Sequence, residues 1–446
     1  MNDVASIRRS GRAARPNQSG ALWAGFAKAD ITPDEPVYLG GYSLRKTPAR
    51  YVHGKLFVRA LVFERARVRF TIVMADLINI GGAGLRARIA DAIGSPAECI
   101  YLGDTHNHAA PLASPKPRGA GPEYLGNDGT RWFKRLEQAA ESAVKDAVSN
   151  LQPVKIGLGY GSSHIAMNRR KRMTGRTSPL TFDENAVSQS FGESRTRRPA
   201  RLREFDGVVR LGANPRGPID DEIGLMRIDT MDGRPLAVLI NYACHGTSLG
   251  GRNDTICGEW MGRMMSVVEE QLGAAPIFLQ GAAGDINPRN VGGLDGYADS
   301  IRRTDELGDE IAADAIRAYR RIVSRTPRDT ALRLASATIL LPRCYRDLFQ
   351  DFKQTAIEAP TTVVRMGDST FVNFPGEMFH ETGKKMKRAA STSLTFIAGY
   401  TNGSIGYMPT REAFAEGGYE PAVSHLDPAA EEHYLQQVAR LMGKVV

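Results

Sequence analysis

The sequence predicts an α/β fold in which mixed β-sheets are flanked by helices. Short β-branched runs alternate along it with longer amphipathic stretches, the pattern of layered mixed proteins. Two Gly-bearing turns, Asp232-Gly233 and Gly367-Asp368, join neighbouring apolar runs as hairpins, so part of the strand pairing must be antiparallel. Composition agrees: of 446 residues, 42% are hydrophobic and 24% charged, which excludes disordered, collagen-like and coiled-coil chains.

In chain order, β-propensity and apolar runs predict strands over Phe57–Phe63, Arg69–Met74, Cys99–Leu102, Val154–Tyr160, Ile223–Ile228, Pro235–Ala243 and Pro276–Leu279. Further strands are expected over Leu332–Leu341, Thr362–Arg365, Thr370–Phe374 and Leu394–Ala398. The clearest helix runs from Asp128 to Asn150, with Phe133, Leu136, Ala140, Ala143, Val144 and Ala147 on one face. A second spans Gly258–Leu272, with Gly273 where a C-terminal glycine stop belongs. Others cover Glu306–Val323 and Asp427–Met442, where Asp427-Pro428 offers a cap and a first-turn proline. No internal repeat and no Pro/Ser-rich linker interrupts the middle, so one large domain over 21–446 is expected.

Other classes are excluded by what the sequence lacks. The longest apolar run, Leu236–Cys244, is far short of the roughly 18 to 20 residues of a membrane-spanning helix. Cys99, Cys244, Cys257 and Cys344 are too few and scattered for a disulfide framework and read as buried thiols in a reducing compartment. Residues 1–20 carry Arg8, Arg9, Arg12 and Arg15 and no apolar segment, so they read as a disordered basic tail rather than a leader, and cytoplasmic residence is expected. The net charge is +9, and two clusters dominate its distribution, Arg169, Arg170, Lys171, Arg172 and Arg176, and Arg195, Arg197, Arg198, Arg201 and Arg203, in a basic insertion at about 170–206. No aromatics interleave with its arginine clusters as stacking platforms, so it reads as a solvated insertion, with a nucleic-acid surface and a lid over an active site as alternatives.

The chemistry collects at strand ends. Five polar motifs each follow an apolar run: Gly103–His108, Cys244–Ser248, Gly281–Pro288, Pro375–Glu377 and Gly399–Tyr407. Open sheets place ligands beyond the carboxyl ends of their strands, so these five ends can converge on one site. His106 and His108 stand two apart, which in extended backbone turns both imidazoles to one side. With His245 and Glu377 at two further ends, they offer the two-His, one-carboxylate set of catalytic zinc sites. Glu377 and His380 also form Glu-x-x-His, the spacing of di-metal helix bundles, but without the second copy such a site needs. His53, His164, His425 and His433 carry no metal spacing.

These motifs resemble a known family. Gly25–Pro33 (GFAKADITP), Gly40–Tyr42, Thr105–His108, Asn168-Arg169, Asn241–Ser248, Pro375–Glu377 and the stretch from Tyr407 through Tyr419-Glu420 are similar, in order, to the catalytic domain of neutral/alkaline ceramidases. The resemblance implies one zinc ion per chain held by His106, His245, Glu377 and Tyr407. It also implies that His108, Arg169 and Tyr419 face the scissile carbonyl, with Asp104 or His108 moving the proton, and that zinc-bound hydroxide attacks an amide. Three departures point to a substrate smaller than ceramide: no C-terminal immunoglobulin-like domain, no export signal, and Asn287 where the family has a serine, beside Asp285. The expected partner is a small or amphiphilic amide, with an ester, carbamate or lactone as the alternative bond and homo-oligomerisation left open. A basic nucleic-acid or membrane-surface protein with an inactive site is the reading from another class; no nucleic acid is expected.

Overall fold

A computed structural model of the chain describes residues 20–42, 45–66, 68–113, 126–127, 130–173, 207–291, 297–326, 331–344 and 355–446. Its largest sheet has eight strands in the order Ala275–Gln280, Pro235–Tyr242, Glu222–Thr230, Gln152–Ser162, Trp23–Asp30, Phe57–Arg65, Val68–Ala75 and Ile100–Asp104. The two outermost pairings are parallel and the inner ones antiparallel. A second sheet orders Leu332–Pro342, Ala356–Met366, Ser369–Asn373 and Leu394–Ala398, with its last pair parallel.

Parallel neighbours need a crossover, and each of the three parallel pairs has a helix for it. Ala83–Ile93 joins Val68–Ala75 to Ile100–Asp104, Glu259–Leu272 joins Pro235–Tyr242 to Ala275–Gln280, and His380–Ala389 joins Ser369–Asn373 to Leu394–Ala398. Every motif-bearing loop therefore leaves the carboxyl end of a strand in one of these three βαβ units.

Why the strands read as continuous apolar runs follows from the layering. Along Val68–Ala75, Phe70, Ile72 and Met74 join the core between the two sheets, whereas Val73 and Ala75 join a core under helices. Inside the sandwich Phe371 stacks on Phe396 at 4.7 Å between centroids and meets Phe70 edge-on at 5.3 Å. Burying each such ring is worth about 1.5–3 kcal/mol. The outer face of the large sheet is covered in one half by Ala83–Ile93 and Arg131–Ser149, in the other by Glu259–Leu272 and Tyr297–Tyr319. The smaller sheet is covered by His380–Ala389 and Ala430–Lys444, giving four layers, helix, sheet, sheet, helix.

Both expected hairpins form. The helix expected from Asp128 starts at Arg131, where the Thr130 side chain caps the Phe133 N–H; Gly273 ends Glu259–Leu272 in the left-handed region at φ 61°. The last helix starts at Ala430, because Asp427 spends its carboxylate on the Ala429 N–H in a preceding turn. The basic insertion begins later than expected. Residues 170–172 belong to the strand Ala166–Arg172, which pairs with Ile286–Pro288 on one side and Val209–Asn214 on the other. Arg170 is buried there on Glu420, not solvated. The remainder of the insertion, 174–206, and the basic tail, 1–19, lie outside the described residues. Among the described residues no helix is long and apolar enough to cross a membrane.

Candidate metal centre and active site

Five strand ends meet in one buried place. His106 sits in the left-handed region at φ 56°, a conformation costly for a side-chain-bearing residue, and Asp104 holds it by accepting the His106 N–H at 3.1 Å. Burial pushes the Asp104 carboxyl well above its usual range, against the His106 and Ile80 N–H groups. The histidine loop is bound to its neighbours by bridges from Asn107 to Gly246 and from Gly103 to Thr401. His108 lies under Gly41, where a Cβ would stand 2.3 Å from its Nδ1, so only glycine lets that chain cross.

The Nε2 atoms of His106 and His108 are 3.2 Å apart, and ligand atoms of His106, His108 and His245 all fall within 4.8 Å of one another. The Oε2 of Glu377 lies 3.1 Å from His245 Nε2 and 3.5 Å from His106 Nε2. The backbone fixes the tautomer of His245, since Nδ1 faces the carbonyl oxygens of Ala283 at 2.7 Å and Ile286 at 3.0 Å and must donate to them. Its Nε2 therefore presents a lone pair. Burial, with Arg169 beside it, pushes this imidazole down to about 4. Burial would raise Glu377, but His106 and His245 outweigh it and hold the carboxyl well below the usual range.

His245 Nε2 and Glu377 Oε2 thus face each other across 3.1 Å with His106 Nε2 beside them, a set of donors that one cation can join. Two ligands about 2.0–2.1 Å from one ion at a tetrahedral angle stand about 3.3–3.4 Å apart, and the separations here bracket that value. The residues present fit a metal ion, and nitrogen with oxygen donors suits zinc.

Around the cluster, Tyr407 pairs with Glu377 through the short parallel strands Tyr407–Met408 and Glu377–Met378. Its hydroxyl accepts from Arg169 Nη2 at 3.1 Å and bonds Tyr419, whose ring meets it edge-on at 5.7 Å. Arg169 is buried and fully engaged. Nε donates to Glu420 at 2.9 Å, Nη1 to Asn287 at 3.2 Å and His245 Nε2 at 3.3 Å, and Nη2 to the Gly284 carbonyl at 2.7 Å as well as to Tyr407. A guanidinium has five N–H donors. Only the one aimed at His245 is released when that nitrogen turns to a metal, which limits Arg169 as a direct donor to a carbonyl oxygen.

All eight expected residues therefore belong to this cluster or its immediate lining, although His108 stands as close to the other imidazoles as an expected ligand does. His380 lies apart, with Nδ1 2.7 Å from Asp285 and its N–H on the same carboxylate, so Glu-x-x-His does not form a second centre. Asp285 also accepts from Asn168, and Asn287 anchors Arg169 rather than capping a turn alone. Two residues escaped the sequence reading. Glu420 bridges Arg169 and Arg170, and Tyr400 lays its ring on His106 at 4.0 Å between centroids. Tyr400 does lie in one of the five strand-end motifs, and the neighbouring Asn402, at φ 69°, was a signal of the turn that aims it.

Residues 23–297 match the family described as neutral/alkaline non-lysosomal ceramidase, N-terminal. The chain belongs to that family. Its fold is similar to the neutral ceramidase from Pseudomonas aeruginosa, with a TM-score of 0.71 at 20% identity over 95% of this chain and 74% of that one. It is similar also to a ceramidase complexed with C2, with a TM-score of 0.68 at 19% identity over 95% of this chain and 75% of the other. No curated protein matches the sequence. A ceramidase-type chain is a hydrolase of amide bonds, and the His cluster can hold the metal on which such hydrolysis depends.

Proposed function

We propose that the chain is a zinc-dependent amidohydrolase that cleaves an N-acyl bond in a substrate smaller than ceramide. The observation that carries this reading is the convergence of His106, His108, His245 and Glu377, with His245 Nε2 3.1 Å from Glu377 Oε2, in a chain with a ceramidase fold. His106, His245 and Glu377, with Tyr407 beside them, are the proposed zinc ligands. Zinc, when bound, lowers the pKa of water toward about 7 and polarises a carbonyl.

The chain's own residues do the rest. Asp104 fixes the strained His106, and the carbonyls of Ala283 and Ile286 fix His245. His108, whose Nε2 stands 3.2 Å from His106 Nε2, is the side chain placed to take the proton of the attacking water and return it to the departing amine. Arg169 supplies positive charge near the developing oxyanion through at most one N–H, and Tyr419 supports it through Tyr407. Asn287 binds Arg169 and carries no ionisable oxygen, so no acyl intermediate forms there. That absence of a serine hydroxyl is the ground for placing ceramide outside the preferred substrates.

Metal analysis of the purified protein, combined with turnover of short N-acyl compounds, esters and long-chain ceramide before and after chelation, tests the reading. About one zinc per chain and chelator-sensitive cleavage of short amides are expected. Full activity without metal would overturn the zinc assignment, and efficient ceramide turnover the substrate assignment.

A further inference from the structure

Three side chains around the centre have a buried polar atom with no partner among the described residues, His106 and His108 at Nδ1 and Tyr400 at its hydroxyl. Tyr400 is 6% exposed, and its hydroxyl is buried with no hydrogen-bond partner among the described residues. Leaving a buried hydroxyl unpaired is unfavourable, so the arrangement persists only where something else requires it. Its backbone is costly as well: Tyr400 has φ 55° and is followed by Asn402 at φ 69°, a pairing that side-chain-bearing residues rarely adopt.

Both features are held in place from outside. The Tyr400 N–H donates to the Gly376 carbonyl at 3.1 Å, one residue before Glu377, and Asn402 Oδ1 accepts the Leu102 N–H at 2.9 Å. The ring is thereby laid over His106 at 4.0 Å with a 32° tilt and meets His245 edge-on at 6.2 Å. The ring thus lies against two imidazoles of the centre, and the ionisable groups that act on its hydroxyl are Glu377, Tyr407, Arg169 and Asp104. The second phenol, Tyr407, differs in that its hydroxyl already accepts from Arg169. Arg169 has at most one donor to release. A carbonyl oxygen that gains negative charge in this pocket needs donors, and the Tyr400 hydroxyl is an unspent one.

We infer that Tyr400 is a substrate-binding donor of this site, whose hydroxyl hydrogen-bonds the carbonyl-derived oxygen of an acyl substrate most strongly as the carbonyl carbon becomes tetrahedral and that oxygen gains negative charge. The inference rests on the amidohydrolase reading for its substrate class. It involves no proton transfer, only a hydrogen bond made when the substrate arrives.

Tyr400→Phe tests it, because the ring, its contact with His106 and the backbone are kept while one hydroxyl is removed. A hydroxyl with no partner in the free protein contributes nothing to folding, so Tm should stay level or rise and the zinc content should not change. Turnover of a short N-acyl substrate should fall about 100-fold in kcat with KM within about threefold, the size of effect seen when one oxyanion donor is lost. Calorimetric titration with a short-chain N-acyl phosphonamidate, a tetrahedral mimic, should show a similar loss of affinity in the zinc-loaded protein. A lowered Tm would show that the hydroxyl has a structural partner, and unchanged mimic affinity would overturn the inference. If wild-type protein cleaves no amide yet Tyr400→Phe still weakens the mimic, the amidohydrolase reading fails and the role of Tyr400 stands.

Discussion

The carboxylate of Glu420 binds two buried arginines at once, Arg169 through Nε at 2.9 Å and Arg170 through Nη1 at 2.8 Å. It joins the rear of the metal centre to the strand Ala166–Arg172. Removing one partner of a buried ion pair leaves the other uncompensated, at a cost of about 3–5 kcal/mol. Glu420→Gln should therefore lower the free energy of urea unfolding by several kcal/mol, whereas Glu416→Gln, at an exposed partner of Arg170, should cost about 1 kcal/mol or less. Equal effects would mean that Glu416 carries the pair.

Glu377 and His245 should decide metal retention. A ligand that binds only the folded state stabilises it by about 2.7 kcal/mol at 100 times its Kd. Wild-type protein should gain Tm on zinc addition, and Glu377→Gln and His245→Asn should lose most of that gain while keeping their circular dichroism. A full zinc-dependent shift in both variants would remove these two residues from the ligand set.

Stability of the metal-free protein should fall on acidification. His245 stays neutral in the folded state down to about 4, whereas an unfolded imidazole protonates near 6.5. Between those values the unfolded chain binds a proton that the folded one refuses, so stability present above pH 6.5 is lost as pH falls toward 4, by up to about 3 kcal/mol. Glu377, held low, adds a loss of the same sign below about pH 4.5. Urea unfolding at pH 7.5, 6 and 5 should show the first slope, and His245→Asn should make it shallower, with His108, also held low, supplying the remainder.

Asn287 should matter through Arg169. Its Oδ1 accepts from Nη1 at 3.2 Å, and hydrogen bonds to a charged donor contribute about 1.5–3 kcal/mol. Asn287→Ala should lower kcat/KM on a short N-acyl substrate by about tenfold or more without changing zinc content. Wild-type kinetics would reduce Asn287 to a turn residue.

Much of this protein was determined by local sequence. Apolar runs such as Phe57–Arg65 and Pro235–Tyr242, the Asp232-Gly233 turn and the face of Arg131–Ser149 declare their structure because burial and turn chemistry act over a few residues. His106, His245 and Glu377 were legible because each follows such a run. Other features depended on distant partners and were decided only by the tertiary structure. The charge run Arg170–Arg172 reads as solvated surface, yet it ends a strand, since Glu420, 250 positions after Arg170, neutralises that buried arginine. The bonds that exhaust Arg169 come from Asn287, Gly284, Tyr407 and Glu420, and no spacing in the sequence encodes their meeting. Tyr400 is the same case: its torsion, its place over His106 and its unpaired hydroxyl arise where the Gly376 and Leu102 backbones clamp its loop. Local propensity sets which segments form strands and helices, whereas the satisfaction of buried charges and polar atoms is a long-range condition that exists only once the layers have closed.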